Sequence, residues 1–209
     1  MSESETLPLI LEKKIIAVVR VAEGQALREC ARAAAEGGIK LIGLPATVPG
    51  ATELVAELRE ESDLRVGISD VVTQEQVSIA LAADASFVLS PICDRDLVQK
   101  CRDRGLVMIA GAATPSEVVV AARRFPHLIA VFPAGALGGP RYLKLLAKQL
   151  PEIPLVASGG VDVDSAPDYL EAGAVAIIVD TGLFPERPDP ETVKVVATRA
   201  AALLEVCAG

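Results

Sequence analysis

The sequence predicts an α/β fold, a single (β/α)8 barrel of the TIM type with a short N-terminal helix. Three observations predict it. Short apolar runs alternate with amphipathic helical stretches from end to end. Eight such pairs recur at regular spacing, with no linker long enough to split the chain, so residues 1–209 read as one domain. Half of the chain is apolar (51%), yet aromatics are 3% and Trp is absent, so Ala, Val, Leu and Ile build the core. That composition suits a parallel sheet buried on both faces. An open doubly wound sheet usually stops after five or six units.

The expected strands are Ile15–Val19, Lys40–Leu44, Leu64–Gly67, Ser86–Leu89, Leu106–Ile109, Leu128–Val131, Leu155–Ala157 and Ala174–Val179. Each is followed by a helical pattern: Gln25–Glu36, Ala51–Glu60, Gln74–Ala83, Arg95–Arg104, Ser116–Arg124, Arg141–Leu150, Ala166–Ala172 and Glu191–Cys207. Thr6–Lys13 reads as an extra helix placed to plug the N-terminal end of the barrel. Gly37-Gly38 and Gly173 follow helices and act as C-terminal stops, where glycine takes the left-handed conformation without strain.

Charge and cysteine usage narrow the function classes. The net charge of −8 disfavours nucleic acid and anionic membranes as partners. The acidic start Met1-Ser2-Glu3-Ser4-Glu5 is unlike a secretory signal, and no apolar run approaches the length of a membrane span. A cytoplasmic protein is expected. Cys30, Cys93, Cys101 and Cys207 are scattered, and His127 is the only histidine, so no metal site and no cofactor are expected. Cys93, in a loop after a strand, is the thiol most open to chemistry.

Sites of such barrels form where strands end and βα loops begin. The residues there include Arg20, Gly43, Thr47, Ser69, Asp70, Ser90, Thr114, Ala130, Phe132, Pro133, Ser158, Gly159, Gly160, Asp180 and Thr181. Asp70 and Asp180 are candidates for acid–base work. Loop aspartates more often cap helices, and Asp70 is placed to cap one beginning near Thr73. Arg20 could neutralise one of the two, or offer its fork to a ligand carboxylate.

Several of these segments carry a resemblance. Ala17-Val18-Val19-Arg20, Thr47-Val48-Pro49-Gly50-Ala51, Phe87-Val88-Leu89-Ser90-Pro91, Thr114-Pro115-Ser116-Glu117, Phe132-Pro133-Ala134 and Ser158-Gly159-Gly160-Val161 occur in that order. Together they resemble the 2-keto-3-deoxy-6-phosphogluconate (KDPG) / 4-hydroxy-2-oxoglutarate (KHG) aldolases. The resemblance implies a class I Schiff-base lyase, commonly a trimer, with Arg20 facing the substrate. It also implies a Schiff-base lysine in the sixth strand, where this chain has Ala130. A proton-shuttling glutamate is implied at the end of the second strand, where this chain has Gly43. A small glycine-serine loop for the substrate phosphate is replaced by Val179-Asp180-Thr181-Gly182.

Schiff-base chemistry needs a primary amine inside the pocket. Lys13, Lys14 and Lys40 lie at or before strand starts, and Lys100, Lys144, Lys148 and Lys194 belong to helices or their entrances. None is placed to substitute. The leading expectation is a degenerate aldolase-like homotrimer binding a small carboxylate, such as a 2-oxo acid, or a partner. An active lyase on KDPG or 4-hydroxy-2-oxoglutarate with recruited residues comes second. A different acid–base enzyme using Asp70 and Asp180 comes third. Gly159 and Gly160 offer backbone amides to an anion at an expected helix start. A carboxylate at Asp180 opposes a phosphate there.

Overall fold

The computed structural model describes residues 3–21, 24–61, 63–180, 182–185 and 187–208. Helix α1 (Glu3–Lys13) comes first. The repeating units follow as β1 (Ile15–Val18), α2 (Gly24–Glu36), β2 (Leu41–Pro45), α3 (Ala51–Glu61), β3 (Arg65–Ser69), α4 (Gln74–Ala82), β4 (Phe87–Ser90) and α5 (Arg95–Asp103). The second half runs β5 (Val107–Ala112), α6 (Pro115–Ala122), β6 (Leu128–Val131), α7 (Gly139–Gln149), β7 (Leu155–Ser158), α8 (Ala166–Glu171), β8 (Ala176–Val179) and α9 (Pro190–Cys207). All neighbouring strands are parallel. β1 pairs with β8, so the sheet closes into a (β/α)8 barrel.

Strand alternation divides the core in two. In β1, Ile16 and Val18 face the barrel interior, while Ile15 and Ala17 face the helices. In β6, Leu128 and Ala130 face inward, and Ile129 and Val131 face outward. Both faces are buried, which is why the strands read as unbroken apolar runs. Ala130 therefore enters the barrel, where it is 3% exposed. From α1, fully buried Ile10 joins the interior cluster with Leu7 and Leu9 beside it, so this helix closes the N-terminal end. At that end His127 Nδ1 accepts the N–H of Met108 at 2.9 Å, a structural role.

Helix starts follow local chemistry. Thr73 and Thr114 close capping boxes with Gln76 and Glu117, and Asp94 accepts from the N–H groups of Asp96 and Leu97. The ring of helices closes where α2 meets α9. A Cβ at Gly37 would lie 2.4 Å from the carbonyl oxygen of Ala197, so only glycine permits that approach.

Strand β5 departs most from the sequence expectation, running past Ile109 to Ala112. Ala110-Gly111-Ala112 looks like a loop, but its small side chains allow close packing. A Cβ at Gly111 would lie 2.2 Å from the carbonyl oxygen of Pro91. Gly111 and Ala112 pair with Ala130 and Val131 of β6.

Candidate functional site

The strand ends converge on a small cavity of about 30 Å3. Its floor is Val18, Leu89, Ile109, Ala130 and Ile178; Ser69, Ser90 and Ser158 add hydroxyls; Arg20, Asp70, Pro91 and Phe132 form the rim. A wider cleft of about 540 Å3 lies outside it and adds Pro133, Ala136, Gly159, Gly160 and Asp180. None of the seven lysines is among the described residues lining either space.

Three strand ends bring the rim charges together. Arg20 leaves β1, Asp180 leaves the adjoining β8, and Asp70 follows β3. Arg20 Nε donates to Asp180 Oδ2 at 2.8 Å. Its Nη1 and Nη2 donate to Asp70 Oδ2 and Oδ1 at 3.1 and 3.0 Å. Burial works against the guanidinium charge, but the hydrogen bonds and charges of Asp70 and Asp180 outweigh it and raise the Arg20 pKa. Asp180 is 8% exposed, and its carbonyl accepts the N–H groups of Leu183 and Phe184.

This arrangement corrects the role expected of Arg20. Its fork is filled from within the chain by Asp70, and it pairs with both aspartates rather than one. Asp70 does not cap α4; Thr73 does. Asp70 sits instead at φ 59°, a left-handed turn that aspartate tolerates and that carries its carboxylate back over the rim.

The remaining expected residues divide. Arg20, Ser69, Asp70, Ser90, Phe132 and Ser158 line the inner cavity, and Pro133, Gly159, Gly160 and Asp180 line the outer cleft. Thr47 and Thr114 are exposed and line neither. Thr114 is spent on capping α6. Thr181 lies outside the described residues. Gly159 and Gly160 are not at a helix start, since α8 begins only at Ala166 and is six residues long. Their positive φ values, 76° and 83°, serve packing instead. A Cβ at Gly159 would meet the Phe132 ring at 2.9 Å, and the carbonyl of Gly159 accepts the N–H of Gly135.

Gly43 points inward but leaves no open space. A Cβ there would lie 3.0 Å from Val18 Cγ2 and 3.3 Å from Leu89 Cδ1. The apolar floor residues Val18, Leu89, Ile109 and Ile178 are not evident from motifs; strand alternation on the neighbouring segments was the available signal. A separate groove beside the mouth contains Cys93, Ile92, Val120 and Arg124. Burial raises the Cys93 thiol above its ordinary pKa, so it is not an activated nucleophile. Among the described residues no group of three or more His, Cys, Asp or Glu side chains is placed to hold a metal, and no helix is long and apolar enough to cross a membrane.

A closed parallel barrel of eight strands with its helices outside defines the class of (β/α)8 barrels, in which functional sites lie at the strand ends where this cavity opens. More narrowly, the chain belongs to the KDPG and KHG aldolase family, whose model matches residues 8–196. It is 29% identical over 179 residues to the 2-dehydro-3-deoxy-phosphogluconate aldolase of Pseudomonas aeruginosa, covering 85% of this chain and 81% of that one. The enzyme of that name from Treponema pallidum is 30% identical over 158 residues, covering 75% of each. The fold is also that of a KDPG aldolase from Legionella pneumophila, solved with pyruvate captured as a covalent carbinolamine intermediate. That match has TM-score 0.76 at 22% identity and covers 97% of this chain and 96% of that one.

Proposed function

We propose that this chain is an aldolase-family barrel without Schiff-base lyase activity, which binds a small unphosphorylated molecule at its mouth and works as a homotrimer. One observation carries this reading. The strand position that the family resemblance assigns to the lysine holds Ala130, which enters the cavity with no lysine among the described lining residues. A carbinolamine needs an amine, and the described lining residues offer none. The position assigned to the glutamate holds Gly43, where an added Cβ would already crowd Val18 and Leu89. Nucleophile and proton shuttle are both missing from this reading, which is more than the loss of one group.

The alternative lyase and acid–base readings gain no support from the rim. Asp70 and Asp180 are both committed to Arg20, so neither stands ready as a base. A short carboxylate or 2-oxo acid is the ligand that the resemblance brings to this reading. On this chain it must displace Asp70 from Arg20 to reach a cation. Ile92 and Val120, each 45% exposed in the groove beside the mouth, support the trimer as apolar surface available for assembly. Trapping with pyruvate and borohydride tests the lost chemistry, and sedimentation at micromolar concentration tests the trimer, which a monomer would contradict.

A further inference from the structure

We propose that the inner cavity is a site for an uncharged, short-chain polyhydroxy compound, held by Ser69, Ser90 and Ser158. This rests on the reading that the cavity binds rather than cleaves, and it names the chemistry bound.

In β3, Val66 and Ile68 turn outward to the helices, so Gly67 and Ser69 turn inward. Ser69 is 2% exposed, and its Oγ has no hydrogen-bond partner among the described residues. Buried hydroxyls are nearly always paired, so an orphan lining a cavity calls for a polar group in that cavity. Ser90 stands on the adjoining strand. Its Oγ accepts the N–H of Ile92 at 3.2 Å, which leaves its own proton to donate. Ser158 reaches the same cavity from β7, across the barrel. Three hydroxyls, able to donate and accept, thus surround a floor that includes Ala130 and would take a carbon chain.

The rim selects against charge. Arg20 is the only cationic side chain among the described residues lining the cavity and its outer cleft. It is bound to Asp70 and Asp180, so the cluster carries one net negative charge. An anion would add a like charge or have to break the Arg20–Asp70 pair. An uncharged ligand does neither. The enclosed part of the cavity is only about 30 Å3, so a ligand held by the serines is short and reaches out into the wider cleft.

Calorimetry of the full chain with erythritol, pyruvate and glycerol 3-phosphate tests the proposal. Saturable erythritol binding is expected, with both anions at least about tenfold weaker, a difference of about 1.4 kcal/mol. Ser69→Ala is expected to weaken erythritol about tenfold while keeping the fold, because the hydroxyl removed has no partner among the described residues. Ser158→Ala, on the opposite wall, gives an independent second loss. Equal or tighter binding of either anion overturns the proposal. So does absence of saturable erythritol binding, or erythritol binding unchanged in both variants. Borohydride trapping separates the two readings: a pyruvyl-lysine adduct contradicts the loss of Schiff-base chemistry, whereas erythritol binding indifferent to both serines contradicts this site alone.

Discussion

Arg20 and Asp70 meet fork to fork, Nη1 to Oδ2 at 3.1 Å and Nη2 to Oδ1 at 3.0 Å, across the rim of the barrel. A bidentate carboxylate is the partner an organic acid would offer to a guanidinium. Here that partner is already part of the chain. Asp180 holds the same guanidinium from the other side through Nε. On the proposed reading, occupancy and net charge together disfavour anions at the mouth, while its hydroxyl-lined interior stays polar.

Removing the second carboxylate should change that balance. Asp180→Asn leaves the Arg20–Asp70 pair and brings the cluster to neutrality. Affinity for pyruvate and for KDPG should rise about tenfold, on the order of 1.4 kcal/mol. Calorimetry on both proteins checks this. Unchanged affinities for both anions would show that the charge of Asp180 does not reach the mouth.

Reinstalling the glutamate should fail on steric grounds. At Gly43 even a Cβ comes within 3.0 Å of Val18 and 3.3 Å of Leu89. Gly43→Glu should cost about 1–3 kcal/mol through overpacking and lower Tm by about 2–4 °C for each kcal/mol. Thermal unfolding measures it. A variant as stable as the parent would mean that the floor yields more readily than its packing implies.

Alkaline pH should weaken the fold through two buried thiols. Burial pushes Cys101 up to about 12 and Cys30 up to about 11. In the unfolded chain both titrate near 9, so above that pH the unfolded state loses protons that the native state keeps. Stability is thus fully present below pH 9 and falls as pH rises toward the folded values, by at most about 1.4 kcal/mol per pH unit per thiol. Urea unfolding under reducing conditions between pH 8 and 11 reads the slope. Cys101→Ala should flatten it, and an unchanged slope would contradict the assignment.

The barrel was legible because both faces of its parallel strands are buried. Ile15–Val19 and Leu128–Val131 announce themselves as apolar runs. Ala110-Gly111-Ala112 did not, because its place in β5 depends on Pro91 lying against it, a contact made only in the closed barrel. Position at a strand end was likewise legible for Arg20, Asp70 and Asp180. Their mutual bonding was not, since 50 residues separate Arg20 from Asp70 and 160 separate it from Asp180. Thr47 and Thr114 share strand-end sequence context with the serines. Thr114 is spent on a helix cap and Thr47 lies exposed away from the mouth, a distinction of direction that spacing does not encode.

A cavity without a reactive amine cannot hold pyruvate as a Schiff base. The protein is incubated with pyruvate and borohydride, digested, and analysed by mass spectrometry for a reduced pyruvyl-lysine. No adduct is expected at Lys13, Lys14, Lys40, Lys100, Lys144, Lys148 or Lys194. A stoichiometric adduct on any one of them would contradict the account and return the chain to the Schiff-base lyases.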